Sequence, residues 1–328
     1  MSVSRSLLSH AVALAFAAQA CFAASAMADT TNQEQFFPPW SHGANNPVQD
    51  RGLEFTVPEV DNLPDFHGDP MNARLVILVG GNYYFAMAPL VHEFERQHPE
   101  FKGKIYYETI PPGLCYEQIK KHGTVTVGNM TWTVHPDVYA AGLKRVTQAI
   151  DEGYGKAPAV RYATNTLTIM IPKGNPAHIT SLNDLGKPGV KLVMPNPEFE
   201  GIGRQIKAAL AKAGGEALVT AVYDTKVKNG ETILTHIHHR QSPLYLMLGR
   251  AQAGVTWQSE AIFQEETGNP ISHVNIPDAQ NVSAIYAATP LKAAPHKKAA
   301  QMWVDYLHSP KALEIFEHFG FKPYTATK

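Results

Sequence analysis

The sequence predicts an α/β protein built as two lobes, in which parallel-rich sheets carry helices on their faces. Two patterns along the chain predict this class. Between residues 74 and 143, short apolar runs alternate three times with loops and helical stretches, and a second set begins at Ala163. Parallel strands need a crossover that is usually a helix, so this alternation indicates parallel sheets. The length of 328 residues also suits two cores better than one.

The N-terminal part differs from the rest of the chain. Residues 1–28 resemble an export signal, with Arg5, a short apolar run at residues 11–18 and a small-x-small pattern that ends at Ala28. We therefore expect cleavage after Ala28 and a periplasmic location. Residues 29–72 are rich in Pro, Asn and Asp without a helical or strand period, which predicts an extended N-terminal arm.

Three strands and their helices are predicted for the first lobe. The run R-L-V-I-L-V from Arg74 is typical of a strand covered on both faces. K-I-Y-Y-E-T-I predicts a second strand and T-V-T-V-G-N-M a third, followed by a helix over Asp137 to Leu143. In the second lobe we expect strands at T-N-T-L-T-I-M-I-P, V-K-L-V-M-P and G-V-T-W-Q, and a clear helix at G-R-Q-I-K-A-A-L-A-K-A.

The composition excludes several classes of function. With 28 basic and 29 acidic residues, the chain lacks the basic excess of a nucleic-acid-binding protein. After signal cleavage Cys115 is the one remaining cysteine, so no internal disulfide is expected. The sequence has no G-x-S-x-G, H-E-x-x-H or Gly-rich phosphate loop. We therefore expect a binding protein without a cofactor rather than an enzyme.

Several long segments carry a resemblance to a known family. They are A-T-N-T-L-T-I-M-I-P-K-G-N-P-A-H-I-T-S-L-N-D-L-G-K-P-G-V-K-L, N-P-E-F-E-G-I-G-R-Q-I-K-A-A-L, A-Q-A-G-V-T-W-Q-S-E-A, and the C-terminal stretch from I-Y-A-A-T-P-L-K to H-F-G-F. Together they resemble the molybdate-type (type II) periplasmic substrate-binding proteins of ABC transporters. The resemblance covers roughly residues 73 to 325. It is specific for this family only when the segments are taken together.

This resemblance implies a two-lobed type II periplasmic binding protein fold with hinge crossovers. Residues 73–160 and 272–328 would form lobe 1, and residues 161–271 would form lobe 2. A small ligand would sit in the cleft between them and be enclosed by hinge closure. The protein would then act as a monomer that delivers its ligand to an ABC permease in the inner membrane.

The resemblance also places four turns at the cleft, where helix N-termini present N–H groups and the positive end of a dipole. The first two turns, residues 80–83 and 112–116, lack the small hydroxyl residues that the family carries there. Ser242 is expected to be an N-cap, with Pro243 opening the next helix. The predicted ligand-binding residues come from these turns and from nearby aromatic residues: Gly81, Asn82, Tyr83, Cys115, Trp132, Glu200, Gly201, His238, His239, Arg240 and Trp257.

The histidine-rich segment T-H-I-H-H-R-Q-S-P, residues 235–243, leaves the chemistry of the ligand open. Imidazole N–H groups and the Arg240 guanidinium suit a small anion, either a molybdate- or tungstate-like oxyanion or a small organic anion. Neutral imidazoles of His236, His238 and His239, with Cys115, suit a transition-metal ion or a metal chelate. A third alternative is a sensory or accessory protein that binds a ligand and presents it to a partner other than a permease.

Overall fold

The computed structural model describes residues 55–56, 64–127, 130–198, 200–235 and 239–326. The predicted signal peptide and most of the predicted arm lie outside these ranges. Within them the chain has the expected α/β architecture, and none of the helices has the length and apolar character needed to cross a membrane.

The strands form the framework that positions the candidate site. Their bounds are β1 (Phe55–Thr56), β2 (Pro64–His67), β3 (Leu75–Val79), β4 (Ile105–Glu108), β5 (Thr124–Val127), β6 (Met130–Thr133), β7 (Val138–Gly142), β8 (Val160–Pro172), β9 (Leu192–Met194), β10 (Thr232–Leu234), β11 (Ala253–Trp257), β12 (Ile271–Asn275), β13 (Ser283–Pro290) and β14 (Lys322–Pro323).

Helices follow most of the strands. Their bounds are α1 (Tyr84–Gln97), α2 (Pro112–Lys120), α3 (Leu143–Asp151), α4 (Gly201–Thr220), α5 (Lys226–Lys228), α6 (Gln241–Met247), α7 (Gln258–Glu266), α8 (Lys297–Tyr306) and α9 (Pro310–His318). Short 3₁₀ helices span Gly81–Tyr83, Pro99–Phe101 and Leu182–Gly186, and a π-helical turn spans Ala221–Thr225.

The described strands other than the β5–β6 hairpin join in the order β1-β2-β4-β3-β7-β13-β8-β11-β9-β10, and β12 and β14 also pair with β8. β3 lies parallel between β4 and β7, and β9 lies parallel between β10 and β11. β13 and β8 are antiparallel to their neighbours and connect these two parallel cores. The prediction of parallel-rich sheets is confirmed.

The long strand β8 is shared between the two halves of this sheet. Its residues up to Thr166 pair with β13, whereas those from Leu167 onward pair with β11 and β12. The chain returns from β12 to β13 through residues 276–282. The first half of the sheet therefore contains β1–β4, β7, β13 and β14 with the first part of β8. The second half contains β9–β12 with the rest of β8. The lobe limits between residues 160 and 161 and between residues 271 and 272 stay a prediction.

One predicted element of the first half is wrong, and another is right only in part. The strand predicted over T-V-T-V-G-N-M is present at Thr124–Val127, but it pairs in the antiparallel β5–β6 hairpin, with Thr124 opposite Thr133, and lies outside the main sheet. Polar and apolar residues alternate on both arms around a Gly-Asn pair, which is a hairpin pattern. The helix predicted over Asp137 to Leu143 is replaced by β7, the parallel neighbour of β3. V-Y-A-A is buried throughout, which favours a covered strand.

The end of the predicted arm is a strand rather than irregular chain. β2 pairs antiparallel with β4 near the edge of the sheet, with Phe66 opposite Glu108. The Phe66 side chain is buried against the core that also holds Leu78 and Tyr106. This segment carries no periodic signal, because so short a strand cannot show one.

Glu108 carries a carboxyl group into this core at the end of β4. Its side chain is fully buried, and Oε1 accepts hydrogen bonds from the Tyr106 hydroxyl at 2.9 Å and from Nε2 of Gln118 at 3.1 Å. Burial raises the pKa of Glu108 to about 7, while the two hydrogen bonds oppose that rise. The folded protein therefore retains a proton on Glu108 in mildly acidic solution, where the unfolded chain has lost it.

We expect Glu108 to lower the free energy of unfolding as the pH rises from about 4.5 to about 7, because the folded state binds the extra proton in this window. The loss is on the order of 3 kcal/mol, at about 1.4 kcal/mol per pKa unit. Glu108→Gln should remove this fall. Urea denaturation at pH 5 and pH 8 measures it, with Glu117→Gln on the exposed face of α2 as the control. An unchanged pH difference in Glu108→Gln contradicts the assignment.

Gly203, in the first turn of α4, sets the distance between this helix and the loop before it. A Cβ at this position would lie 2.7 Å from the carbonyl oxygen of Pro195 and 2.7 Å from the backbone nitrogen of Pro197. These neighbours are backbone atoms, so they cannot rotate away as a side chain can. The close approach fixes where Glu200, which directly precedes α4, lies.

Gly203→Ala should therefore destabilise the protein. Overpacking typically costs about 1–3 kcal/mol, which exceeds the gain of about 1 kcal/mol expected for replacing a helical glycine by alanine. Gly142→Ala is the matched control, because a Cβ there would meet no atom within 4 Å. Urea titrations of both variants measure the difference. Equal free energies of unfolding would show that the loop moves aside without cost.

Candidate functional site

A set of buried polar side chains lies where the two halves of the sheet approach each other. We name it the interlobe cluster and define it as Tyr84, Glu200, His239, Arg240 and Glu260. Each of the five side chains is less than a tenth exposed. Buried charges and polar groups need partners, because leaving them unpaired costs several kcal/mol. Their mutual contacts therefore determine the chemistry of this region.

Arg240 links the second half of the sheet to the first. It lies between β10 and α6, and its Nη1 donates a hydrogen bond to the carbonyl oxygen of Gly81 at 3.2 Å. Its guanidinium also lies over the ring of Tyr84, 5.1 Å from the ring centre. Gly81 and Tyr84 belong to the junction between β3 and α1. A positive charge that is only 2% exposed thus lies between the halves, stabilised by a carbonyl dipole and an aromatic face.

Glu260 and Tyr84 extend the cluster towards α7. The Tyr84 hydroxyl donates to Oε1 of Glu260 at 3.0 Å, and Nε2 of Gln264 donates to the same oxygen at 3.0 Å. Burial raises the pKa of Glu260, whereas these hydrogen bonds and the electrostatic interactions with His239 and Arg240 oppose the rise. Glu260 therefore shares the electrostatic environment of Arg240, and the cluster contains charges of both signs.

Glu200 and His239 form the other side of the cluster. Oε2 of Glu200 lies 3.4 Å from Nδ1 of His239, and Oε1 accepts hydrogen bonds from the Thr235 hydroxyl and, at 3.2 Å, from the backbone N–H of Asn196. Glu200 precedes the first residue of α4, but its side chain does not cap that helix. The carboxylate therefore lies at the N-terminal end of α4, next to the segment that carries Arg240.

The structure brings together four of the predicted ligand-binding residues, namely Gly81, Glu200, His239 and Arg240. Gly201, the first residue of α4, is exposed beside them. Tyr83 and Trp257 lie elsewhere, in an aromatic cluster around Tyr286. The ring centres of Tyr83 and Tyr286 are 4.9 Å apart, and those of Trp257 and Tyr286 are 6.2 Å apart.

Cys115 is fully buried at the N-terminal end of α2. Its Sγ lies 3.5 Å from the carbonyl oxygen of Ile110 and 3.7 Å from that of Val79, close to the ends of β4 and β3. These contacts fit a small buried thiol that supports the strand ends beneath the β3–α1 junction. The remaining predicted positions, His236 and His238 and the side chains of Asn82 and Trp132, lie outside what the structure describes.

The predicted N-cap at Ser242 is wrong. α6 begins at Gln241 with Arg240 before it, so Ser242 is the second helical residue and Pro243 the third. The backbone N–H of Ser242 donates to the carbonyl oxygen of His239 at 2.9 Å, which continues the turn that starts at His239. The serine and proline pattern located the helix correctly but placed its start too late. Its true start brings His239 and Arg240 into the turn itself.

Sequence reasoning missed Tyr84, Glu260 and the Thr235 hydroxyl. The available signal for Glu260 was its place in the first turn of the helix after G-V-T-W, where strand ends and helix starts meet in α/β folds. For Tyr84 the neighbouring Tyr83 drew attention to the wrong ring. The two tyrosines point to different environments, and only the orientation of α1 shows which one faces Arg240.

Within the described ranges, no group of three or more His, Cys, Asp or Glu side chains is arranged to hold a metal ion. The predicted metal ligands His236, His238, His239 and Cys115 include two histidines outside these ranges. The metal hypothesis therefore stays a prediction.

A separate groove of about 1040 Å³ lies between α1, α7 and α9. Its charged lining is mainly acidic, with Glu93, Glu266, Glu314 and Glu317 against Lys311 and His318. Lys311 is paired with Glu314 at 2.7 Å, and His318 lies 3.5 Å from Glu266. Carboxylates dominate this groove, so it disfavours an anion, and the interlobe cluster remains the candidate site.

Comparison with known proteins agrees with this architecture. The Bacillus subtilis (strain 168) protein YvgL, whose name describes a substrate-binding lipoprotein of an ABC transporter, is 25% identical over 56% of this chain and 65% of its own length. The molybdate-binding protein ModA of Mycobacterium tuberculosis (strain ATCC 25618 / H37Rv) is 23% identical over 77% of this chain and 87% of its own. The chain spans about half the length of the curated sulfate-binding relatives that it matches.

Among solved structures, the sulfate-binding protein SubI from Mycobacterium tuberculosis H37Rv superposes with a TM-score of 0.62, at 16% identity, over 76% of this chain and 86% of that one. This similarity shows the two-lobed periplasmic binding protein fold. The family model described as bacterial extracellular solute-binding protein matches residues 75–322, which is most of the chain. The chain therefore belongs to the family of bacterial extracellular solute-binding proteins.

Proposed function

We propose that this protein is the periplasmic solute-binding component of an ABC importer and that it binds a small anion, either an oxyanion or a small organic anion. The ligand would lie between lobe 1, residues 73–160 and 272–328, and lobe 2, residues 161–271. The observation that carries the proposal is the buried arginine between the halves. Arg240 is 2% exposed and contacts Gly81 of the opposite half. A positive charge in such a low-dielectric region attracts an anion more strongly than one at the surface.

The names of the relatives support an anion as the ligand, because two of them are described as molybdate- and sulfate-binding proteins. The local geometry supports it independently. The N-terminus of α4, where N–H groups lack intrahelical partners, begins at Gly201 next to Glu200. We propose Gly81, Glu200, Gly201, His239 and Arg240 as the residues that contact the ligand.

Three other predicted residues have a different role in the proposal. Tyr83 and Trp257 lie in the aromatic cluster around Tyr286, and Cys115 lies beneath the β3–α1 junction. We propose that they support the cleft rather than contact the ligand.

We propose that the protein binds its ligand without converting it chemically. We propose that the protein is monomeric and releases its ligand unchanged to a permease of the inner membrane. Closure of the two lobes would bring the Arg240 segment against the β3–α1 junction, and opening would separate them. Arg240 would therefore couple occupancy of the cleft to the closed state. The export signal ending at Ala28 would supply the periplasmic location.

We expect Arg240→Gln to weaken the binding of the preferred anion by at least about tenfold, because a charge-assisted hydrogen bond contributes about 1.5–3 kcal/mol. Isothermal titration calorimetry with molybdate, sulfate, phosphate and lactate measures the affinities. Arg250→Gln is the matched control, since Arg250 is exposed and lies over the ring of Tyr245, 5.4 Å from its centre. Circular dichroism verifies that both variants fold.

Two outcomes would contradict the proposed function. If Arg240→Gln binds the preferred anion as tightly as the unchanged protein does, the interlobe cluster is not the anion site. If the unchanged protein binds none of the four anions, the ligand class itself is wrong.

A further inference from the structure

One atom of the interlobe cluster, Oε2 of Glu200, bears on which kind of anion the site binds. Glu200 is 7% exposed, and its two carboxylate oxygens have different surroundings. Oε1 is directed towards its own half of the sheet, where the Thr235 hydroxyl and the backbone N–H of Asn196 donate to it. These two contacts hold the carboxylate in a fixed orientation.

Oε2 of Glu200 is fully enclosed and accepts no hydrogen bond from the described residues. It lies 3.4 Å from Nδ1 of His239, which is longer than the range of about 2.7–3.2 Å for an N–H···O hydrogen bond. His239 is the chain neighbour of Arg240, which reaches Gly81 in the opposite half. This oxygen, which accepts no hydrogen bond within the described part of the chain, therefore lies on the His239 side of Glu200, next to the segment that carries Arg240.

A buried carboxylate oxygen without a donor is costly, by about 1–3 kcal/mol or more. It also repels an anion that offers only acceptor oxygens. Both effects reverse when the anion carries its own O–H group, because that group donates to the carboxylate. The same anion can still present a negatively charged oxygen to Arg240.

We infer that Glu200 selects an anion that carries an O–H donor at neutral pH, such as hydrogen phosphate or a small hydroxycarboxylate, and rejects anions that offer acceptors only. The inference rests on the proposed function and narrows its ligand class. The O–H group donates to Oε2 of Glu200, while Arg240 balances the charge. Sites built to hydrogen-bond a ligand hydroxyl reject the analogue without it by large factors, because the buried partner is then left unpaired.

Two pairs of similar anions test this inference. In each pair one anion carries an O–H group and the other does not. Phosphate is compared with sulfate, and lactate with propionate, by calorimetry at pH 7.5. Within the pair that binds, the anion with the O–H group should bind at least about 100-fold more tightly. The pair that binds distinguishes an inorganic ligand from an organic one.

Glu200→Gln is the decisive variant, because it keeps the size of the side chain and removes its charge. We expect the variant to bind the two anions of that pair with affinities within about tenfold of each other. It should bind the anion with the O–H group more weakly, and the anion without it more tightly, than the unchanged protein does. Glu198→Gln is the matched control, since Glu198 is exposed on the same loop. It should behave as the unchanged protein does.

The inference is overturned if sulfate, propionate or molybdate binds as tightly as the O–H anions do. It is equally overturned if Glu200→Gln leaves the affinity ratio unchanged while the variant remains folded by circular dichroism. Either result leaves the proposed anion site intact when Arg240→Gln still weakens binding. Absence of binding by every anion removes the proposed function, and this inference with it.

Discussion

The contact of Arg240 with the β3–α1 junction is the interaction on which the arrangement of the candidate site depends. The guanidinium leaves its own half of the sheet and lies between the Gly81 carbonyl and the Tyr84 ring. Burying an arginine requires compensation, and here a dipole, a π face and the field of Glu260 provide it. The contact thereby defines the relative position of the two halves and concentrates charge between them.

The interlobe cluster differs from an anion site built only from helix N-termini. It contains two buried carboxylates, Glu200 and Glu260, beside Arg240 and His239. Such a mixed set can discriminate between anions of similar size, because its affinity depends on where the ligand carries hydrogen-bond donors and acceptors and not on charge alone. Family membership supplies the fold and the role of solute binding. In our proposal, the carboxylates determine which anion the site accepts.

Prediction from sequence succeeded where the signal was local. A continuous apolar run indicated β3, since a strand buried on both faces must be apolar throughout. β4, β8, β9 and β11 were also expected where the structure places them. Prediction failed at β7 because a short run such as V-Y-A-A-G carries no helical or strand period of its own. At β5 the strand was predicted, but its pairing with β6 in a hairpin was missed. Ser242 and Pro243 located α6 but not its first residue, which depends on the turn made by His239 and Arg240.

The sequence by itself determined the α/β class, the family resemblance and the segment in which the site's histidine and arginine would be found. Only the tertiary structure decided that Arg240 meets Gly81, 159 residues away, and that Tyr84 and Glu260 join them. The physical reason is that periodicity and capping report contacts within a few residues. Pairing between buried polar groups depends on how β8 carries the chain from one half of the sheet to the other.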